Sequence, residues 1–417
     1  MAKLLIEGCR KLEGEVTVQG SKNSTLPILA ATLLTRDENV IHNCPLLSDV
    51  DTSVRILRYL GCKVSRHGHS LIVDTKNEVD TTIPSKLMRK MRSSIIFMGA
   101  ILARKGKVSV SLPGGCELGP RPIDLHLDAL RKLGAEICEC HGEIRCKALR
   151  GLHGATVALA FPSVGATENI MIAATTARGR TVITNAAREP EIEDLADYLI
   201  KCGADISGAG EGTIVIEGVS ELHGTSHNII PDRIWAATLM SAAAVTGSQI
   251  TLRDVLPSHL ASVIPVFEDG GCKVICKEGN LIFNAPERLR PLKLVRTTPY
   301  PGFPTDAQAP LMAVSTVAEG LTVFVETIFE NRYKHVEELH RMGARVKVEG
   351  RVAVVEGVER LYGASVQARD LRGSAALVVA GLASEGRTEI DTTEYLERGY
   401  EDLDVTLSSL GASVRKI

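Results

Sequence analysis

Residues 341–346 read RMGARV, and five other stretches share its grammar: YLGCKV at 59–64, KLGAEI at 132–137, KCGADI at 201–206, DGGCKV at 269–274 and SLGASV at 409–414. In each, a helical pattern stops, a glycine and a small residue come next, and a strand begins. The glycines are Gly61, Gly134, Gly203, Gly271, Gly343 and Gly411, spaced 68 to 73 residues apart. A fixed period of this size is the mark of a repeated supersecondary unit, and six such units fill the 417 residues. Each glycine is expected at a helix C′ position, where the backbone needs φ > 0.

Working outward from the glycine, every unit has the same parts. It opens on a helix of small apolar residues: LPILAATLL, IIFMGAILA, NIMIAATTA, IWAATLMSAAA, APLMAVSTVA and ALVVAGLAS. A helix that is apolar nearly all round is a buried helix. A β-branched strand comes after it, such as KVSVSL, RTVITN or LTVFVET, and then a loop and an amphipathic helix. Val50, Val54 and Leu57 share one face of the first such helix, and Ile123, Leu127 and Leu130 share one face of the second. Ser48 and Asp51 have capping-box spacing, and Pro122 suits a first helical position. Two strands close the unit as a hairpin, as in ARVKVEGRVAVVEG.

The sixth unit is short of a strand. After Gly411 only ASVRKI remains, whereas KLLIEGCRKLEGEVTV at the start matches the segment just past the hairpin turn in other units. The N-terminal strand is therefore expected to complete the sixth unit. Three units per domain gives one domain over 21–229, and a second over 1–20 plus 230–417. The expected class is α/β, with buried helices surrounded by sheets. A single six-unit solenoid is the alternative, and closure through the N-terminus argues against it.

Bulk composition narrows the function. Net charge is −2, so no global basic field points to nucleic acid or an anionic membrane. Hydrophobic residues make up 44% and aromatics only 4%, which calls for aliphatic cores. The opening MAKLLIEGCRKLEGE has no apolar run of signal-peptide type, and no stretch is long enough to span a bilayer, so a cytoplasmic place is expected. Ten cysteines without a CxxC pair fit free thiols in a reducing compartment, most of them packed as small hydrophobes. His67 and His69, and Cys138, Cys140 and His141, look like ligand clusters but fall at hairpin tips, and no metal or cofactor is expected.

Ligands of α/β units gather where strands hand over to loops and helices. Those loops carry Arg121, Arg332 and Arg398, which precede their unit glycines by 13, 11 and 13 residues. A cation near a helix N-terminus opposes the helix dipole, and a bound phosphate or carboxylate would offset the cost. The plainer alternative is three surface arginines paired with Glu117, Glu330 and Glu397. Lys22 and Arg92 are further cations ahead of buried helices. Asp306 and Asp370 stand at the starts of the fifth and sixth buried helices, where an N-cap role is the plain reading, and Arg372 lies beside Asp370. Cys116 sits in LPGGCELGPRPID among glycines and prolines. A thiol there, close to Arg121, suits a nucleophile or a proton donor, and the residues alone leave that choice open.

Taken together, GSKNSTLPILAATLL, MRSS, LPGGCELGPRPIDLH, FPSVGATENIMIAA, REPEIEDLADYL, IPDRI, YPGFPTDAQAP, ETIFENR, DLRGSAALVVAGLA and ERGYEDL run in order along nearly the whole chain. In that set the chain resembles the UDP-N-acetylglucosamine enolpyruvyl transferases of the EPSP synthase family. The resemblance implies a two-domain inside-out α/β barrel with the active site in the interdomain cleft. It implies transfer of the enolpyruvyl group of phosphoenolpyruvate to the 3′-hydroxyl of UDP-N-acetylglucosamine, with release of phosphate, at the first committed step of peptidoglycan synthesis. By the same resemblance Lys22, Arg121 and Arg398 would bind phosphoenolpyruvate, with Asn23 and Arg92 nearby. Arg121, Pro122, Ile123, Asp124 and Leu125, with Ser163, Val164 and Gly165, would cradle the uridine diphosphate. Asp306 would meet the sugar hydroxyl as general base, Ile328 would line the site, and Arg332, Asp370 and Arg372 would support the reacting centre. Cys116 would be the loop cysteine that protonates the methylene carbon or forms an adduct, and that fosfomycin alkylates.

Trp235 in IPDRIWAATL and Ser93 in MRSS depart from the family's usual residues. The nearest rival is 5-enolpyruvylshikimate-3-phosphate synthase, whose GNAGT–RPL-type motif is missing here. A non-catalytic paralogue is the other, and a mere binder has no need of a thiol in such a loop.

Overall fold

The computed structural model describes residues 3–114, 123–391 and 393–417. The chain divides into two compact units. One is built from 20–114 and 123–230, and the other from 3–19 and 231–417.

Within 20–230, three buried helices pack against one another: Lys22–Ala31, Ile96–Lys105 and Val164–Ala174. Their small residues permit the close approach. At Gly99 a Cβ would sit 2.1 Å from Oδ1 of Asn169, so only glycine lets these two helices meet there. Three four-stranded sheets flank the helices, each with the same plan. A short edge strand runs parallel to the strand that comes after the buried helix, and an antiparallel hairpin completes the sheet. Thr82–Ile83 beside Lys107–Ser111 and Thr156–Ala158 beside Arg180–Thr184 are two such parallel pairs. In the third sheet the edge strand is Ser226–Asn228, from the end of the unit, laid against Glu38–His42 from its beginning.

The second unit repeats the plan with helices Arg233–Val245, Thr305–Ser315 and Leu371–Ala383. Here residues 3–19 supply two strands to two sheets. Glu13–Thr17 runs parallel to Gln249–Arg253. Leu4–Glu7 lies between Arg387–Asp391 and Ser413–Lys416, antiparallel to both, and so fills the place left open in the sixth repeat.

The repeat glycines behave alike. All six have φ between 92° and 102°. The N–H one residue later donates to the carbonyl five residues before it, at 3.0 Å in every case: Cys62 to Leu57, Ala135 to Leu130, Ala204 to Leu199, Cys272 to Phe267, Ala344 to Leu339 and Ala412 to Leu407. This is the Schellman ending of a helix, used six times to turn the amphipathic helix into its hairpin. The predicted capping box at Ser48 does not form. The helix Ser48–Tyr59 already includes Ser48, its cap residue Leu47 gives no side-chain bond, and the Ser48 carbonyl accepts from the Thr52 hydroxyl.

All nine described cysteines are free thiols, and the reading as packed small hydrophobes holds for five of them and not for the other four. Cys44, Cys62, Cys146, Cys202 and Cys272 are buried, and burial pushes their thiols up to between about 11 and about 12. Cys9, Cys138, Cys140 and Cys276 are exposed. Strand positions open to solvent place three of them there, Cys138 and Cys140 in Glu136–Cys140 and Cys276 in Lys273–Lys277, while Cys9 lies in the loop after Leu4–Glu7. Among the described residues no helix is long and apolar enough to cross a membrane, and no cluster of metal-ligating side chains forms.

Glu168 lies inside the first unit, on the buried helix Val164–Ala174, with 3% of its surface exposed. Burial, then the neighbouring Glu191 and Glu189 carboxylates, raise its pKa well above the ordinary value. A carboxyl whose folded pKa is raised stabilises the fold fully below its unfolded pKa and loses that contribution as pH climbs through the folded value. Glu168→Gln should therefore flatten the decline of stability between pH 5 and pH 8. Urea denaturation at both pH values checks this, and an unchanged slope would mean that Glu168 keeps no proton.

Candidate active site

In the unit of 20–230, Lys22 is the first residue of its helix, whose cap Ser21 accepts from Ser24 N at 3.3 Å. The Lys22 Nζ lies 3.3 Å from Oδ2 of Asp49, and both side chains are buried. The carboxylate offsets the cost of a cation at the positive end of a helix. Asn23 comes next, half-buried, and Arg92 opens the 3-10 turn Arg92–Ile95, also half-buried. Ile123 is buried ahead of the helix Asp124–Lys132, Asp124 is exposed and Leu125 is half-buried. Ser163 caps the helix Val164–Ala174 by accepting from Ala166 N at 3.4 Å. Val164 and Gly165, both half-buried, form its first turn, and Gly165 lies against the ring of His126. Cys116, Arg121 and Pro122 lie outside the described residues.

In the unit that holds 231–417, three of the expected residues touch. Asp306 Oδ1 accepts from Nη2 of Arg332 at 2.9 Å, and Oδ2 accepts from Nη2 of Arg372 at 2.9 Å. Arg332 is only 2% exposed, and its Nε and Nη2 also donate to the Thr305 carbonyl at 3.2 and 2.8 Å. Arg372, equally buried, donates from Nη1 to the Tyr400 hydroxyl at 3.0 Å and lies 5.4 Å from that ring's centre. Burial works against its charge, but Tyr400, Asp306 and Asp232 outweigh it and raise its pKa. Asp370 caps the helix bearing Arg372, with Oδ1 accepting from Arg372 N at 3.1 Å and Gly373 N at 2.9 Å. Arg398 ends the 3-10 turn Thr393–Arg398, half-buried.

Two plain alternatives fall away here. Asp306 is no cap: the cap residue of Thr305–Ser315 is Pro304, and Asp306 is the helix's second residue. Arg332 is not a surface arginine paired with Glu330, because Glu330 pairs with Arg351 at 3.5 Å. Glu397 likewise pairs with Lys416, at 3.4 Å.

Chemically, this is a carboxylate held through both oxygens by two guanidiniums, with 27% of its side chain still exposed. The two guanidiniums fix it in direction. His335, three residues after Arg332, is neutral: burial pushes its pKa down to about 4, with Asp370 opposing and Arg332 reinforcing.

A family model, EPSP synthase (3-phosphoshikimate 1-carboxyvinyltransferase), matches residues 6–407. The chain belongs to the EPSP synthase family. Among its family relatives, UDP-N-acetylglucosamine 1-carboxyvinyltransferase 2 of Caldanaerobacter subterraneus subsp. tengcongensis is 52% identical, with the whole of both chains covered. UDP-N-acetylglucosamine 1-carboxyvinyltransferase of Geotalea uraniireducens is 46% identical, also with both chains fully covered. The solved enolpyruvyl transferase NikO from Streptomyces tendae superposes with a TM-score of 0.90 at 25% identity, over 100% of this chain and 98% of that one. EPSP synthase from Acinetobacter baumannii gives 0.78 at 18% identity, over the whole of both chains.

For an EPSP synthase family member, several residues that shape the site gave little signal in the sequence. Glu326 is fully buried at the end of strand Leu321–Val325, where the alternation of the strand hides it. Its Oε1 accepts from Ile328 N at 2.8 Å and Phe329 N at 3.0 Å, and its Oε2 accepts from the Thr305 hydroxyl at 2.9 Å. It thereby fixes the backbone of Ile328, which is half-buried. Asp49 was visible only as a first-turn acid, and Tyr400 only as an aromatic next to ERG. Asn169 sits in a helix that reads as apolar, and a polar residue inside such a run is the signal that marks it.

Proposed function

We propose that this chain transfers the enolpyruvyl group of phosphoenolpyruvate to the 3′-hydroxyl of UDP-N-acetylglucosamine and releases phosphate. The observation that carries the choice of acceptor is full-length identity of 46–52% to chains named for that reaction. The bracketed Asp306 supports it, since acceptor activation needs a fixed carboxylate that a hydroxyl can reach.

In the proposed reaction Asp306 takes the proton of the 3′-hydroxyl, and that oxygen bonds to C2 of phosphoenolpyruvate. C3 takes up a proton, which we assign to Cys116. The tetrahedral adduct then loses phosphate from C2 and a proton from C3, which restores the double bond. Lys22, Arg121 and Arg398, with Asn23 and Arg92, hold the phosphate and carboxylate and stabilise developing charge. Ile123, Asp124 and Leu125, with Pro122 and the turn of Ser163, Val164 and Gly165, cradle the uridine diphosphate, and Ile328 lines the sugar. Asp370 holds the helix that carries Arg372. The proposed setting is the cytoplasm, at the first committed step of peptidoglycan synthesis.

Phosphate release from phosphoenolpyruvate tests this reading, with UDP-N-acetylglucosamine or shikimate 3-phosphate as acceptor, before and after fosfomycin. Release only with the sugar nucleotide, lost after fosfomycin and strongly reduced in Cys116→Ser, is the expected result, and unchanged turnover in Cys116→Ser would remove the role assigned to that thiol. Release with shikimate 3-phosphate moves the acceptor to the rival. No release from folded protein makes the chain a binder.

A further inference from the structure

His126 is nine-tenths buried on the helix Asp124–Lys132, and its two ring nitrogens face different surroundings. Nδ1 lies 3.0 Å from Nδ2 of Asn169. The orientation of that amide is set by its other contacts. Asn169 Oδ1 accepts from Gly99 N at 2.9 Å, and Nδ2 donates to the Ile95 carbonyl at 3.3 Å. The opposite orientation would set two donors together at Gly99 and two acceptors together at Ile95. An amide NH2 only donates, so Nδ1 must accept, and the single ring proton sits on Nε2. Burial first, and the charge of Arg92 second, push the His126 pKa down to about 4, so the ring is neutral at ordinary pH.

Nε2 meets no protein partner among the described residues and is not sealed from solvent. The Cε1–Nε2 edge faces Gly165, where a Cβ would lie 3.3 Å from Cε1 and 3.5 Å from Nε2. Gly165 is the second residue of the 11-residue helix Val164–Ala174, so its N–H belongs to the end that favours anions. Three features thus converge on one place: a helix start, the Arg92 charge felt by the ring, and an unpartnered N–H on a buried ring.

We propose that His126 is a binding residue of the nucleotide subsite, a neutral imidazole whose tautomer Asn169 fixes so that Nε2–H donates to a phosphate oxygen of the nucleoside diphosphate. This rests on the reading of the chain as a sugar-nucleotide transferase. A locked tautomer has an advantage over a lysine. The donor is present in every molecule, does not titrate near neutrality, and needs no reorganisation when the nucleotide arrives.

The test uses UDP as probe on the full chain. In the free protein, 15N spectra of histidine-labelled material should show a protonated Nε2 and a bare Nδ1 for His126, with Nε2–H shifting on addition of UDP. His126→Phe should weaken UDP about tenfold, the loss expected for one hydrogen bond to a charged acceptor. KM for UDP-N-acetylglucosamine should rise with it, while KM for phosphoenolpyruvate stays within twofold. Asn169→Leu should give a smaller loss with the ring intact, because without the amide donor the single proton divides between Nδ1 and Nε2. A bare Nε2 in the wild-type spectrum would overturn the inference, and so would unchanged UDP affinity in both variants. Failure of the wild type to bind UDP at all would instead overturn the transferase reading beneath it.

Discussion

Asp306→Asn should lower phosphate release about 10³-fold, within the range lost when a general base is removed. The asparagine keeps the size of the side chain and one acceptor oxygen, but its NH2 must then face the guanidinium of Arg332 or Arg372. Both arginines are almost wholly buried, and each now donates to its own Asp306 oxygen at 2.9 Å. One of them loses its bond to residue 306 and its charged partner, so a fall in stability should accompany the loss of rate. The two effects separate by measurement. If the defect were only unfolding, the soluble fraction would turn over at the wild-type rate. A folded Asp306→Asn protein within tenfold of wild-type kcat would remove Asp306 from the role of base.

Glu326→Ala should cost about 2–4 kcal/mol of stability, a large share of what holds a domain together. Its carboxylate takes two backbone N–H groups and one hydroxyl at a place with no solvent to replace it. The consequence reaches the site through Thr305. That residue gives its hydroxyl to Glu326 and its carbonyl to Arg332, so the loop running from 326 to 332 returns to it at both ends. Thr305 is the residue just before Asp306. Losing Glu326 frees the loop and with it the carboxylate, and turnover should fall together with the urea midpoint. Glu326→Gln should be far milder, because its Oε1 can still accept both amides and the Thr305 hydroxyl can rotate to accept from its Nε2. Equal destabilisation by Ala and Gln would show that charge, not hydrogen-bond geometry, is what the loop needs.

The six-fold plan was legible because one backbone requirement recurs. A helix that must turn sharply into a hairpin needs a left-handed residue, glycine meets that need most cheaply, and the spacing of Gly61 through Gly411 records it. The missing strand of the sixth repeat was legible for the same reason, as a gap in a pattern. The partners of Asp306 were not. Arg332 and Arg372 stand 26 and 66 residues away in sequence, and local spacing carries no information about contacts across separate repeats. Local rules even misled: Glu330 lies close to Arg332 in sequence but pairs with Arg351, and Ser48 has the right spacing for a cap but sits one residue inside its helix. The tautomer of His126 lay beyond any sequence argument, since it depends on which atom of Asn169 meets the Gly99 amide.

The strand Leu4–Glu7 has a consequence for how the chain comes off the ribosome. Its hydrogen-bonding partners are residues 387–391 and 413–416, and those of Glu13–Thr17 are 249–253. The unit of 20–230 holds all its own sheet partners, so it can close as soon as Asn228 has emerged. The Leu4–Glu7 segment must meanwhile wait unpaired while roughly 400 residues are added, which at 5–20 residues per second is about 20–80 seconds. Order of synthesis and order of folding are thus reversed at this strand: a segment made long before its partners is among the last to find its place.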